Sequence, residues 1–136
     1  MYPLVSIITV NYNQTQVTRE LLASLRNITY PSVEIFVVDN GSIDDSILSL
    51  REEFPDINII QTNSNLGFAG GNNVGIKASR GEFILLLNND VEVTPRFLEP
   101  MVEIFERYPK AGMASPKVLY PDGKTIQYAG ARSIKA

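Results

Sequence analysis

Four clusters of amide and carboxylate side chains carry most of the chemistry this sequence could do: Asn11-Tyr12-Asn13, Asp39-Asn40-Gly41-Ser42, Asn63-Ser64-Asn65-Leu66-Gly67 and Asn88-Asn89-Asp90. The 136 residues include no cysteine and no histidine, which removes thiolate metal sites, disulfides and imidazole acid–base chemistry. Proton transfer or metal binding must therefore run on carboxylates. Asp39 and Asp90 each follow a largely apolar run, Val33 to Val38 and Phe83 to Leu87. Carboxylate and amide oxygens suit hard cations such as Mg²⁺ or Mn²⁺, which keep several waters and share oxygens with a diphosphate. Each cluster also has a plainer reading, because Asn, Asp and Gly build turns and cap helices.

The elements between the clusters must position them. Leu4 to Val10 reads as a strand, and Val17, Leu21, Leu22, Leu25 and Ile28 then recur at helical spacing. Val33 to Val38 reads as a second strand, followed by a helix over Ile43, Ile47, Leu48 and Phe54 that Ser42 or Asp44 can cap. Ile57 to Ile60 is a third strand, and the glycine-rich stretch 67–75 leads into a short helix ending at Gly81. The run 83–87 reads as a strand buried on both faces. Thr94-Pro95 supplies an N-cap and a first-turn proline for a helix with Phe97, Leu98, Met101, Val102 and Phe105 inward.

Strands alternating with helices in this way are parallel with right-handed crossovers, so the expectation is an α/β fold with an open, mostly parallel, Rossmann-like sheet. The turn sequence Tyr120-Pro121-Asp122-Gly123 predicts a C-terminal hairpin over 117–128. Ligands of such sheets bind beyond the carboxyl ends of the strands, and all four polar clusters fall there.

Length and a 44% hydrophobic content predict one globular domain over 1–136, with 4–109 as the alternating core. The net charge of −3 argues against a nucleic-acid partner. It is unevenly spread, since residues 107–136 hold 6 basic side chains and a single acid, Asp122. No apolar run approaches a membrane span, and a strand beginning at Leu4 leaves no room for a signal peptide. A cytoplasmic location follows as the expectation, with at most a peripheral place at the inner face of the membrane. A dinucleotide fingerprint would follow strand one, where Asn11-Tyr12-Asn13-Gln14 stands instead, and a phosphate loop ending in Gly-Lys-Ser/Thr is missing. A receiver domain would need acids after strand one, and none precedes Glu20.

Taken together, Val5-Ser-Ile-Ile-Thr-Val-Asn-Tyr-Asn13, Val37-Val-Asp-Asn-Gly-Ser42, Asn65-Leu-Gly-Phe-Ala-Gly-Gly-Asn-Asn-Val-Gly75 and Leu87-Asn-Asn-Asp90 resemble the donor-binding half of inverting family 2 glycosyltransferases. The resemblance runs in order from about residue 4 to 120. It implies the GT-A fold of nucleotide-diphospho-sugar transferases, a nucleotide diphosphate sugar as donor and transfer to an acceptor hydroxyl with inversion. It further implies that the backbone from Thr9 through Asn11 to Tyr12 borders the base, that Asp39 accepts a hydrogen bond from base or ribose, and that Gly71 and Asn72 line the pocket. Asn88-Asn89-Asp90 is similar to the family's Asp-x-Asp motif with an amide at the first acid. Asn88 and Asn89 then lie beside the nucleotide, and Asp90 holds the Mg²⁺ or Mn²⁺ that bridges the diphosphate. Many relatives carry a basic residue where Gly71 stands. The glycine-rich version of the third motif looks like rhamnosyltransferase-type members, with a UDP- or dTDP-linked donor and a glycan or lipid-linked acceptor. The resemblance places the catalytic base beyond Ala136, so residues 110–136 would be the hairpin and the start of an acceptor-binding half. Two other classes stay open: a nucleotide- or metal-binding module without transfer activity, and a sugar nucleotidyltransferase of related fold.

Overall fold

The computed structural model describes residues 1–43 and 45–130. In the first of its two compact units, Met1–Pro95, β1 (Val5–Asn11) is one of the two interior strands of the sheet. It is followed by α1 (Thr15–Leu25), β2 (Val33–Asp39), a 3-10 turn (Ser46–Ser49) running into α2 (Leu50–Glu53), β3 (Ile57–Gln61), α3 (Gly67–Ala78) and β4 (Phe83–Leu86). All four strands are parallel, in the order β3-β2-β1-β4. β1 and β2 run in register from Val5 opposite Val33 to Asn11 opposite Asp39. Successive side chains of β1 point to opposite faces. Ile8 and Val10 meet α3, whereas Asn11 meets α1 through Thr18. Ile7, Ile8, Leu21, Leu22 and Val37 are wholly or almost wholly buried, each contributing roughly 1.5–3 kcal/mol of transfer free energy.

α3 lies tight on the sheet because two of its glycines have no Cβ. A Cβ on Gly71 would sit 2.9 Å from Val10 Cγ1, and one on Gly75 would sit 2.4 Å from Ile8 Cγ2. The glycine-rich stretch is therefore the first two turns of the helix and not a loop before it, which corrects the expectation.

Three further expectations change. β4 is an edge strand, paired with β1 alone among the described residues, and is not buried on both faces. Ile84 and Leu86 are 44% and 47% exposed, while Phe83 and Leu85 are half-buried. The helix expected after β2 is reduced to the 3-10 turn and the four-residue α2, and Ile43 stays exposed. Ser42 does not cap it, because its hydroxyl donates to Asp39; Asp44, the other expected cap, lies outside the described residues. Thr94 does not cap the next helix either. α4 (Leu98–Arg107) has no side-chain cap, and the Pro95 carbonyl accepts from Thr29 N and Thr29 Oγ1 instead.

The second unit begins at Arg96, within the segment expected to belong to the alternating core. It contains α4, with Leu98 and Val102 buried and Pro100 in its first turn, where a missing N–H costs little. Its hairpin is β5 (Val118–Leu119) antiparallel to β6 (Ile126–Tyr128). Asp122 ties the turn: its carboxylate accepts from Lys124 N, Thr125 N and Thr125 Oγ1, and the Thr125 hydroxyl leads in holding that carboxyl below its ordinary value. Residues 131–136 of the expected 110–136 segment lie outside the described residues. No helix among the described residues is long and apolar enough to cross a membrane.

Candidate functional site

The carboxyl ends of β1, β2 and β4 are joined by one run of side-chain hydrogen bonds. Asn89 Nδ2 donates to Thr18 Oγ1 at 3.2 Å, Thr18 Oγ1 donates to Asn11 Oδ1 at 2.8 Å, and Asn11 Nδ2 donates to Asp39 Oδ1 at 2.8 Å. Ser42 Oγ donates to the same Asp39 oxygen and also accepts from Asn11 Nδ2 and from Asn13 N. Asn11 and Thr18 are 0% exposed and Asp39 is 2% exposed. Buried polar groups need such partners, because each one left unpaired costs about 1–3 kcal/mol. Both donors to the Asp39 carboxylate fall on Oδ1, and no described residue donates to Oδ2.

Asn40 does similar work beside it. Its amide nitrogen donates to Asn65 Oδ1 and to the Gly67 carbonyl, and its oxygen accepts from Leu66 N, all at 3.0 Å. Gly41, at φ +77°, lets the 62–65 segment come close: a Cβ there would lie 2.6 Å from the Ser64 carbonyl carbon. Asn13 takes the left-handed conformation that asparagine tolerates, φ 54°, and accepts from Ile43 N. Tyr12 is thus an exposed ring between two anchored asparagines.

These anchors frame an open cavity of about 450 Å³ walled by Val10, Tyr12, Gln14, Asn40, Asn65, Gly67, Phe68, Asn88, Asn89 and Asp90. Its size suits a small organic ligand. Of the residues expected to bind, it brings together Tyr12, Asn88, Asn89 and Asp90. Asn11 and Asp39 stand behind it in the hydrogen-bond run. Gly71 and Asn72 are buried in α3, with Asn72 Nδ2 donating back to the Phe68 carbonyl, and neither lines the wall. Thr9 is wholly buried and its Oγ1 has no hydrogen-bond partner, so its side chain is a core group and only its backbone could border a ligand. Sequence reasoning passes over Phe68 and Thr18, and groups Asn40 with Asp39 without giving it a role of its own. The Asn-Gly turn was the available signal for Asn40; a threonine in a helix and an aromatic in a glycine run gave none.

Among the described residues no group of three or more acidic side chains could hold a metal ion, and the cavity wall contains no lysine or arginine. Asp90 is exposed and makes no hydrogen bond with a described residue. Asn89 spends its amide nitrogen on Thr18 and Gln14, and no described residue donates to its Oδ1. One carboxylate and one amide oxygen fit a cation that takes most of its remaining ligands from water and substrate.

Comparison with known proteins gives this edge a context. The profile of glycosyl transferase family 2 matches residues 6–133. The chain is 34% identical over 132 residues to the O-antigen biosynthesis protein RfbC of Myxococcus xanthus, covering 94% of this chain and 10% of that one. It is 27% identical over 146 residues to an N-acetylglucosaminyl-diphospho-decaprenol L-rhamnosyltransferase of Mycobacterium tuberculosis, covering 98% and 47%. It therefore spans less than half the length of either relative. Among solved structures, S. aureus TarS residues 1–349 in complex with UDP-GlcNAc superposes with a TM-score of 0.69 at 25% identity, over 87% of this chain and 38% of that one.

Proposed function

The chain belongs to glycosyl transferase family 2, with the GT-A fold, and from that premise we propose that it is a nucleotide-sugar-binding domain of a transferase acting with a divalent cation. The observation that carries this reading is the pairing of two differently placed carboxylates at one sheet edge: Asp39, buried with one oxygen to which no described residue donates, and Asp90, exposed on the cavity wall. β1, which ends in Asn11 and leads into Tyr12, separates their strands.

On this reading the base and ribose lie toward β1 and β2. Asp39 Oδ2 accepts from the imide of a pyrimidine or from a ribose hydroxyl, the backbone from Thr9 to Tyr12 borders the base, and the Tyr12 ring offers it an exposed face. Gly71 acts by letting α3 approach Val10, and Asn72 by bonding back to the helix. The diphosphate lies toward Asn88-Asn89-Asp90. Asp90, with the Asn89 oxygen, would hold a Mg²⁺ or Mn²⁺ that supplies positive charge, of which the described residues of the wall have none. Asn88 is left to bond a ribose hydroxyl or a metal-bound water. Similarity to the rhamnosyltransferase and to the UDP-GlcNAc-bound TarS supports a UDP- or dTDP-linked sugar as donor and a glycan or lipid-linked acceptor. Residues 110–136 would then begin the acceptor-binding half.

The test is calorimetric titration of UDP and uridine, in EDTA and in Mn²⁺, into the native chain and Asp90→Ala. The native chain should bind UDP at least about tenfold more tightly with Mn²⁺, roughly 1.4 kcal/mol, and Asp90→Ala should lose that gain. Uridine, with no diphosphate, should respond to neither change. Equal Mn²⁺ enhancement in both proteins would remove Asp90 from the metal site.

A further inference from the structure

We propose that Thr18, a residue of α1 that does not line the cavity, is the positioning residue that sets the Asn88–Asp90 segment relative to Asp39. The proposal rests on the reading of the site given above. A buried threonine inside a helix ordinarily donates its hydroxyl to the carbonyl one turn back. Thr18 instead spends that proton on Asn11 Oδ1 at 2.8 Å, across to β1, and accepts from Asn89 Nδ2 at 3.2 Å, across to the segment after β4. One hydroxyl thereby joins two strand ends that flank the cavity.

The direction of the bonds adds to the argument. Asn89 donates to Thr18, Thr18 donates to Asn11, and Asn11 donates to the Asp39 carboxylate. All three donors point the same way and the run ends on a carboxylate, the arrangement in which successive hydrogen bonds polarise one another. It also decides how Asn89 faces. With its nitrogen drawn inward to Thr18 and Gln14, its oxygen is the atom left for a cation or a metal-bound water beside Asp90. A reversed amide would turn N–H groups toward the same cation. Thr18 thus acts through Asn89 and touches no ligand itself.

The experiment compares the native chain with Thr18→Val, which replaces the hydroxyl with a methyl of similar shape, and Thr18→Ser, which keeps it. Thr18→Ala, which removes the hydroxyl without the added methyl, is read beside Thr18→Val in case the valine packs badly. Two readouts are taken. In the ligand-free chain, the side-chain amide resonances of Asn89 and Asn11 should move in the Val and Ala variants, with Asn89 protons exchanging with water at least about tenfold faster, and should return in Thr18→Ser. In titrations, the Mn²⁺-dependent tightening of UDP should fall at least about fivefold in Val and Ala while uridine affinity changes less than about twofold, and serine should restore it. A merely structural threonine would lower melting temperature without moving this split. Native amide signals and native Mn²⁺ enhancement in Thr18→Val or Thr18→Ala would overturn the proposal, as would a serine variant no better than valine. A native chain with no Mn²⁺ response would overturn the metal site itself and, with it, the purpose assigned to Thr18, whereas a responsive native chain with an equally responsive Val or Ala variant overturns Thr18 alone.

Discussion

Asp39 and Asn11 sit directly opposite each other at the ends of neighbouring strands, and what separates their roles is the oxygen each has left over. Asn11 uses both ends of its amide inside the protein, whereas Asp39 receives two donors on Oδ1 and keeps Oδ2. Asp39→Asn tests that difference with little disturbance of the fold. Its oxygen can still accept from Asn11 and Ser42, but an N–H₂ replaces Oδ2 and would face the N–H of a pyrimidine imide donor to donor. Uridine affinity should drop at least about tenfold, near 1.4 kcal/mol, with a melting temperature within a few degrees of native. Unchanged affinity with a large fall in melting temperature would make Asp39 a structural tie only. The sequence made the type and strand-end position of both residues legible, and grouped them as ligand contacts. It did not reveal which one the register would saturate, because that depends on Thr18 arriving from α1. The expectation for Thr9 concerns its backbone alone, and its buried side chain does not bear on it.

At the scale of elements, α3 packs tightly on β1 through Gly75. An alanine there would gain about 1 kcal/mol in helix propensity. Its Cβ, however, would lie 2.4 Å from Ile8 Cγ2 and 3.3 Å from Val38 Cγ2, two residues packed in the centre of the sheet. Overpacking of this kind costs typically 1–3 kcal/mol, so Gly75→Ala should unfold at lower urea, and pairing it with Ile8→Val should recover part of the loss. A stabilised Gly75→Ala chain would show that the approach is looser than 2.4 Å. The alternation of strands and helices was readable because apolar runs and helical spacing report burial along the chain. Glycine, by contrast, reads equally as a loop residue and as a contact surface, so the sequence alone starts α3 too late. The apolar run 83–87 looked buried on both sides because periodicity cannot tell a central strand from an edge strand whose outward Ile84 and Leu86 remain exposed.

Across the whole first unit, β1 and β2 are tied by polar pairs at both ends of one register, Asn11 with Asp39 at the site and Ser6 with Glu34 at the opposite end. Glu34 is almost fully buried. It accepts from Ser6 Oγ at 2.6 Å, from Arg80 N at 2.7 Å and from the Arg80 guanidinium, while Ser6 Oγ accepts from Gly81 N, so the entry to β4 is fixed to the sheet there. Burial alone would raise the Glu34 carboxyl, but the Ser6 hydroxyl, the Arg80 backbone N–H and the Arg80 side chain together outweigh it and hold the group below its ordinary value of 4.5. A carboxyl lowered on folding contributes stability that is complete above its unfolded value and is lost as pH falls through its folded value. Glu34→Gln keeps an acceptor but loses the charge, so near pH 7 it should cost about 1–3 kcal/mol. The gap in melting temperature between native and variant should hold steady above about pH 5 and close progressively from about pH 4.5 downward. Comparing the two proteins at each pH also cancels Asp122, whose carboxyl is lowered as well and which titrates in both. Arg80→Ala should do far less, because that side chain is largely exposed, its ion pair is screened by solvent, and the backbone N–H that holds Glu34 remains. Melting curves from pH 7 to pH 3 decide the matter: a native-to-Gln gap that stays constant down to pH 3 would mean that the Glu34 charge contributes nothing to holding the two strands and the β4 entry together.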